Sequence, residues 1–179
     1  FNKDLDEHIP TEYLQEIYGV SEAHPDSFDF IGEKYARILN YHAAHDIGHA
    51  MQQYMLVGCT SFSAWSSYTA DSQLILGRNF DFYAGDDFAR NKVVSCFRPD
   101  SGYKFMTVSW PGFIGAVSGM NEHGLALTIN ASAGNPPLST RTPIALLTRE
   151  ILQYARNINE AVAIARKRQT FVSESILLA

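Results

Sequence analysis

The dipeptide Gly58-Cys59 has the clearest chemical potential in this sequence, because a thiol there can attack a neighbouring carbonyl. Cys59 directly follows Gly58, where a helical pattern gives way to a β-type pattern. A cysteine that becomes the first residue of a chain carries an α-amine with a pKa of about 7.7 to 8.0, which can act as general base. Glycine has no Cβ to block attack on its carbonyl. We therefore predict that the precursor cuts itself between Gly58 and Cys59 through a thioester that water opens. The alternative is a buried, inert cysteine.

Arg78 and Asp81 are the charged residues that we expect beside Cys59. They belong to the segment Gly77–Phe82, and Arg78 follows Cys59 by 19 residues, as the returning strand of a hairpin would require. A guanidinium stabilises a thiolate, and a carboxylate could hold the new α-amine. Positions 78 and 81 face opposite sides of a regular strand, so this prediction requires a bulge or the strand's end between them. A surface Arg-Asp pair of little consequence is the alternative.

Three histidines support a competing hypothesis, a metal-dependent hydrolase. His42, His45 and His49 share one face of a predicted helix, and the spacing of His45 and His49 is that of helical zinc ligands. The residue after His45 is Asp46 rather than the expected Glu, and no third ligand is evident from the sequence. A non-catalytic binding domain is a further alternative. Thiol reactivity of Cys59, bound zinc, or neither would separate the three hypotheses.

Composition and periodicity predict an α+β domain that positions these residues. The 179 residues are 46% hydrophobic and 18% charged, with a net charge of −5 and scattered basic residues, which excludes an electrostatic site for nucleic acid. Apolar residues recur at helical spacing from Thr11 to about Met55, with a break at Pro25, and again from Pro143 to about Lys167. Phe30 and Ile31 are included in the second helical stripe. No apolar run is long enough to cross a membrane.

Short β-type runs separated by turn residues fill the rest of the chain. They predict an antiparallel meander of strands about ten residues apart. The sequence has two cysteines, which are too few for a disulfide scaffold. We expect Cys96 to be a buried strand residue. The loops Ser132 to Thr142 and Asp81 to Asn91 show no pattern that is diagnostic of a particular substrate. The predicted strands are Cys59–Trp65, Gln73–Phe82, Lys92–Phe97, Tyr103–Trp110, Phe113–Val117, Leu125–Asn130 and Ser175–Ala179.

Three motifs in this order resemble the cysteine N-terminal-nucleophile hydrolases. They are Gly58–Phe62 (GCTSF), Gly77–Phe82 (GRNFDF) and Gly119–Leu125 (GMNEHGL). That family includes penicillin V acylase, choloylglycine (bile salt) hydrolase and the isopenicillin N acyltransferase group. The resemblance implies an αββα sandwich with antiparallel sheets, Cys59 as nucleophile, and Arg78 and Asp81 at its side.

The resemblance also implies an oxyanion site and a division of the chain. Asn130 matches the position whose backbone N–H binds the oxyanion, whereas the asparagine expected further on has no counterpart before Ala179. Residues 1–58 would be a helical propeptide and residues 59–179 the first part of the catalytic domain. Because the last strand ends at Ala179, we expect the natural protein to continue. A leader this long is more like that of the acyltransferase branch than that of bile salt hydrolases.

These patterns predict a self-processing acylase or acyltransferase acting on linear non-peptide amides, with no cofactor and no metal. The expected partners are a small-molecule amide, the remaining C-terminal part of the same protein and, in a homo-oligomer, further copies of the chain. We expect no nucleic acid partner and no membrane span. A leader that is removed is typical of a periplasmic or secreted protein.

Overall fold

The computed structural model describes residues 3–50, 57–82, 85–132, 134 and 139–179. The end of the predicted second helical region, near Met55, lies outside these residues, as do positions 83 and 84 and parts of the loop between Ser132 and Thr142. Among the helices of the described ranges, none is long and apolar enough to cross a membrane.

The predicted leader, residues 1–58, contains two α-helices, α1 (Thr11–Glu22) and α2 (Lys34–Ala50), as the periodicity predicts. Helix α1 buries Tyr13 and Ile17, which are four residues apart and therefore lie on one face. These side chains join Ile38 of α2, and both helices share a hydrophobic cluster with Ile114 and Leu146. Both helices are therefore packed into the core of the chain.

Phe30 and Ile31 were wrongly assigned to a helical stripe. Residues Asp26–Phe28 form a short 3-10 helix after Pro25, and α2 begins only at Lys34. Phe30 is 83% exposed and Ile31 is 66% exposed. The predicted break at Pro25 is confirmed, but the connection is longer than the apolar pattern suggested.

The strands form two antiparallel sheets rather than one meander. Strands β1 (Val57–Ser66) and β2 (Ser72–Phe82) make a two-stranded hairpin. The other five follow chain order in a second sheet, although two helices separate its last two strands. These strands are β3 (Val93–Phe97), β4 (Phe105–Ser109), β5 (Ser118–Asn121), β6 (Ala126–Ala131) and β7 (Glu174–Leu178).

Two sequence predictions about the second sheet are wrong. Phe113–Val117 is not a strand: Phe113, Ile114, Ala116 and Val117 are buried core residues, and β5 begins only at Ser118. A short apolar run has the same composition in a buried loop as in a buried strand, so periodicity does not separate them. Cys96 lies in β3 as predicted, but it is exposed rather than buried.

Helices α3 (Ile144–Tyr154) and α4 (Ile158–Ala165) cover one face of the second sheet. The main hydrophobic cluster joins Ile151 and Leu152 of α3 to Leu127 and Ile129 of β6. The hairpin lies against the opposite face of β6, where the Asn130 side chain contacts Ser61. The fold is thus a mixed helix and antiparallel-sheet structure with helices, sheet and hairpin in successive layers, and the candidate site lies where the hairpin meets β6.

Candidate active site

The hairpin brings Arg78 beside Cys59, as the sequence spacing predicted. In its register Cys59 is opposite Phe80, and Ser61 is opposite Arg78. Paired residues of antiparallel strands point to the same side, so all four side chains lie on one face. The Nη2 atom of Arg78 lies 3.8 Å from the half-buried thiol sulfur of Cys59. A thiolate formed at Cys59 would therefore face a fixed cation.

Two further contacts hold the Arg78 guanidinium in place. Its Nη2 atom donates a hydrogen bond of 2.8 Å to the carbonyl oxygen of Ile129 in β6. Its central carbon lies 4.1 Å from the ring centre of Phe80. Burial lowers the pKa of Arg78, while the nearby charges of Cys59, Glu174 and Asp81 oppose that shift. An arginine does not lose its proton near neutral pH, so the buried charge persists.

Asp81 lies beside Gly58, not beside Arg78. Asp81 and Gly58 are direct partners in the hairpin, and a Cβ added at Gly58 would lie 4.0 Å from an Asp81 carboxylate oxygen. The register shifts only between Ala64 and Ser66, and the strand continues to Phe82, so neither the bulge nor the strand end that the prediction required lies between Arg78 and Asp81. The two charged side chains therefore take opposite faces of β2, and Asp81 is exposed. It is adjacent to the predicted scissile peptide.

Asn130 connects β6 to the hairpin. Its Nδ2 atom donates a hydrogen bond of 2.8 Å to Oγ of Ser61, which is the hairpin partner of Arg78. Among the residues that the structure describes, none donates a hydrogen bond to its buried Oδ1 atom. The fold therefore gathers Cys59, Arg78 and Asn130 on one side of the hairpin, and Gly58 with Asp81 on the other.

A buried carboxylic acid near Arg78 was missed by the sequence analysis. Glu174 begins β7, and its Oε1 atom lies 2.8 Å from Nδ1 of His49 and 3.9 Å from Nδ1 of His45. Burial and, to a smaller extent, the charge of Asp46 raise the pKa of Glu174 to about 8, while Arg78 acts in the opposite direction. No pattern in the sequence links Glu174 to the histidines, because β7 and α2 meet only in the folded chain.

The three histidines of α2 do not act as one set. His42 accepts a hydrogen bond from the backbone N–H of Ile114 and donates one to the carbonyl of Ile38. His45 and His49 instead face Glu174. Over the described ranges, no group of three or more histidine, cysteine, aspartate or glutamate side chains is arranged to hold a metal ion.

Comparison with known proteins identifies the family. Residues 68–179 match the family described as acyl-coenzyme A:6-aminopenicillanic acid acyl-transferase, a range that includes Arg78, Asp81 and Asn130 and begins after Cys59.

Curated relatives share sequence over most of this chain. An uncharacterized protein of Archaeoglobus fulgidus is 26% identical over an alignment 172 residues long, which covers 89% of this chain and 28% of that protein. Protein dcd1A of Dictyostelium discoideum is 26% identical over an alignment 166 residues long, which covers 87% of this chain and 34% of that protein. Protein dcd1B of the same organism is 25% identical over an alignment 156 residues long, which covers 86% of this chain and 28% of that protein. The chain thus spans about a third of the length of these relatives. By the match to its second and larger part, the chain belongs to the acyl-coenzyme A:6-aminopenicillanic acid acyl-transferase family, which is related to the N-terminal-nucleophile hydrolases.

Proposed function

We propose that the protein cuts itself between Gly58 and Cys59 and then transfers acyl groups from linear non-peptide amides through a thioester on Cys59. The observation that carries this proposal is the position of the Arg78 guanidinium, 3.8 Å from the Cys59 sulfur, within a chain of an acyltransferase family. Asp81 lies on the other side of the strand pair, directly opposite Gly58. The thiol and the peptide that it would attack are thus flanked by a cation and an anion.

Self-cleavage is an N-to-S acyl shift followed by hydrolysis. The Cys59 sulfur attacks the carbonyl carbon of Gly58, the C–N bond breaks, and the thiol proton ends on the nitrogen that becomes the α-amine of Cys59. Water then adds to the thioester, which leaves a carboxylate on Gly58 and restores the thiol. Arg78 stabilises the attacking sulfur as it gains negative charge.

The freed α-amine supplies the base for turnover. It takes the thiol proton as the sulfur attacks the substrate's amide carbonyl, and it returns that proton to the departing amine. The acyl group then sits on Cys59 as a thioester. Water releases it as a carboxylic acid, or an amine takes it as a new amide. Asp81 would hold the α-amine as an ammonium between these transfers.

The backbone N–H of Asn130 is the proposed oxyanion donor. The side-chain hydrogen bond from Asn130 to Ser61 places this residue on the hairpin face that carries Cys59. One well-placed donor to the developing oxyanion contributes on the order of 3 kcal/mol to transition-state stability. We assign a second donor to the rest of the natural protein.

The remaining part of the protein would also complete an αββα sandwich. The sheet face that meets the hairpin exposes Val94, Met106, Val108 and Met120, and alternate positions of neighbouring strands supply them. A contiguous apolar sheet face of this kind is normally buried. Additional strands beside the two-stranded hairpin would cover it at the usual spacing of about 10 Å between sheets.

Mass spectrometry with N-terminal sequencing tests this proposal. The full-length natural protein should show a new N-terminus at Cys59, and Cys59→Ala should abolish the cut. Cys96→Ser is the matched control, since it changes the other thiol, and it should be cut like the wild type. An uncut wild-type chain would contradict self-cleavage, and bound zinc or a stable partner would then favour the metal-dependent or the binding-domain hypothesis.

A further inference from the structure

Two hydrogen bonds join the hairpin to β6 close to Cys59. On the hairpin, Ser61 and Arg78 are direct partners in the strand register. On β6, Ile129 and Asn130 are consecutive residues. Arg78 donates through Nη2 to the Ile129 carbonyl oxygen, and Asn130 donates through Nδ2 to Oγ of Ser61, both at 2.8 Å. One residue pair of the hairpin therefore holds one dipeptide of β6.

Ser61 connects β6 to the strand that carries the proposed nucleophile. Cys59 and Ser61 are two residues apart in β1, so their side chains lie on the same face of the hairpin. Within the described ranges, the bond to Ser61 is the one hydrogen bond that the Asn130 side chain makes. The Ser61 hydroxyl group therefore fixes the Asn130 amide relative to the strand of Cys59.

The position of Arg78 does not depend on Ser61. The guanidinium keeps its own contacts with the β6 carbonyl oxygen and with the ring of Phe80. Its approach to within 3.8 Å of the Cys59 sulfur should therefore survive the loss of the Ser61 hydroxyl group. That loss would release the Asn130 amide and leave the cation beside the thiol. Activation of the thiol and stabilisation of the oxyanion can thus be separated at Ser61.

We propose that Ser61 is a positioning residue for acyl transfer: its hydroxyl group holds Asn130, the residue of the proposed oxyanion donor, in place relative to Cys59. Ser61 acts through Asn130 and touches no reacting atom. A hydrogen bond between two neutral side chains contributes modestly to the free energy of unfolding, whereas a small displacement of a group in the site slows the reaction strongly. This role rests on the proposed function, because the oxyanion forms in that reaction.

Two reactions of the Cys59 thiol test the role of Ser61, because only one of them forms an oxyanion. Iodoacetamide alkylates the sulfur with loss of iodide, and no carbonyl oxygen gains charge. With p-nitrophenyl acetate, the sulfur adds to the carbonyl carbon and the carbonyl oxygen becomes negative. The p-nitrophenolate then leaves with the electrons of the C–O bond, the acetyl group stays on the sulfur, and the thiol proton passes to the α-amine or to the buffer.

The ratio of the acylation rate to the alkylation rate therefore measures stabilisation of the oxyanion. Both rates are measured on the full-length natural protein, in the cut or the uncut form that intact mass identifies, and the same form is compared among variants. Release of p-nitrophenolate, after subtraction of the Cys59→Ala rate, gives acylation. Mass spectrometry of the peptide that contains Cys59 gives alkylation.

Ser61→Ala should lower this ratio about tenfold and leave the pH midpoint of alkylation unchanged. Ser61→Thr keeps the hydroxyl group and should recover most of the loss. Asn130→Ala keeps its backbone N–H but loses the bond to Ser61, so its ratio should fall as in Ser61→Ala. The double variant should be no slower than either single variant.

Ser63→Ala is the matched control. Ser63 lies on the same face of β1, and within the described part of the chain its hydroxyl group makes no hydrogen bond, so this variant should keep the wild-type ratio. A wild-type ratio in Ser61→Ala, or losses that add in the double variant, would overturn the proposal. If Ser61→Ala does not fold, a wild-type ratio in Asn130→Ala overturns it alone.

Failure of the proposed function would appear in the wild type instead. Acylation of Cys59 no faster than that of free cysteine at an equal degree of ionisation would contradict acyl transfer, and it would overturn the role of Ser61 as well. A fast wild type with unchanged Ser61 variants would overturn the role of Ser61 alone. The two failures are therefore distinguishable.

Discussion

Arg149 of α3 holds Glu16 of the leader in a two-pronged ion pair, with both N–O distances at 2.6 Å. The arginine side chain is 1% exposed, whereas that of the glutamate is 38% exposed. The guanidinium also lies 4.5 Å from the ring centre of Tyr13 and donates to the carbonyl of Ile114. The leader thus neutralises a charge that is buried in the helical layer of the domain.

We expect the leader to stay bound after the proposed cut at Gly58. Its release would expose the apolar face of α1 that carries Tyr13 and Ile17, and it would break the ion pair between Glu16 and Arg149. Size-exclusion chromatography of the cut protein should give one peak containing both pieces, which denaturing mass spectrometry resolves. Two separate peaks under native conditions would contradict this expectation.

Glu16→Gln should lower the free energy of unfolding by about 2 kcal/mol, less than a fully buried pair because the carboxylate is partly solvated. Urea denaturation measures the change. Glu33→Gln removes an exposed carboxylate of the same leader, so it should stay within about 0.5 kcal/mol of the wild type.

Two substitutions of Arg78 should distinguish the effect of its charge on self-cleavage from the effect of its shape. Arg78→Gln removes the cation that faces Cys59, so self-cleavage should slow by about a hundredfold or more. Arg78→Lys should recover part of that loss, because a lysine keeps the charge but cannot contact Ile129 and Cys59 with one planar group. Timed mass spectrometry of the precursor gives both rates. Arg90→Gln, at an exposed pair with Asp87, should cut at the wild-type rate.

Asp81→Asn should slow self-cleavage or turnover without lowering stability. The carboxylate is exposed, so its loss should change the free energy of unfolding by less than about 0.5 kcal/mol. Its position opposite Gly58 predicts a rate loss of about tenfold or more. Paired denaturation and cleavage assays on this variant and on Asp87→Asn check both parts. Equal rates in the two variants would remove Asp81 from the mechanism.

Protonation of His42 should lower the free energy of unfolding at acidic pH. Burial lowers its pKa from 6.5 to about 4, so between these values the unfolded chain binds a proton that the folded chain does not. The contribution of neutral His42 to the free energy of unfolding is therefore fully present above pH 6.5, and it falls by about 3 kcal/mol as the pH drops to 4. His42→Gln should flatten this part of the stability curve. Urea titrations at several pH values measure the difference between variants.

Gly119 should tolerate no side chain. A Cβ there would lie 2.4 Å from the carbonyl oxygen of Met106 and 2.7 Å from Leu152. Gly119→Ala should therefore lower the free energy of unfolding by about 2 kcal/mol or more. Gly19 is the matched control, because it lies inside α1 with nothing within 4 Å of an added Cβ. Gly19→Ala should stabilise the protein by up to about 1 kcal/mol. Thermal unfolding distinguishes the two substitutions.

The sequence by itself determined the local elements and one pairing of the site. Helical periodicity located α1 and α2, and turn residues separated the strands, since both signals lie within about ten residues along the chain. The spacing of Cys59 and Arg78 predicted their contact because a hairpin fixes which residues of its two strands meet.

Only the tertiary structure decided the rest. It split the strands into two sheets, placed Asp81 beside Gly58 rather than Arg78, and brought Glu174 against His49. The regular strand pairing fixed the side that Asp81 faces. The contact between Glu174 and His49 joins elements that are distant in the chain, and it follows from how the leader packs on the sheet. Such packing depends on the summed burial of many apolar side chains, which no local pattern encodes.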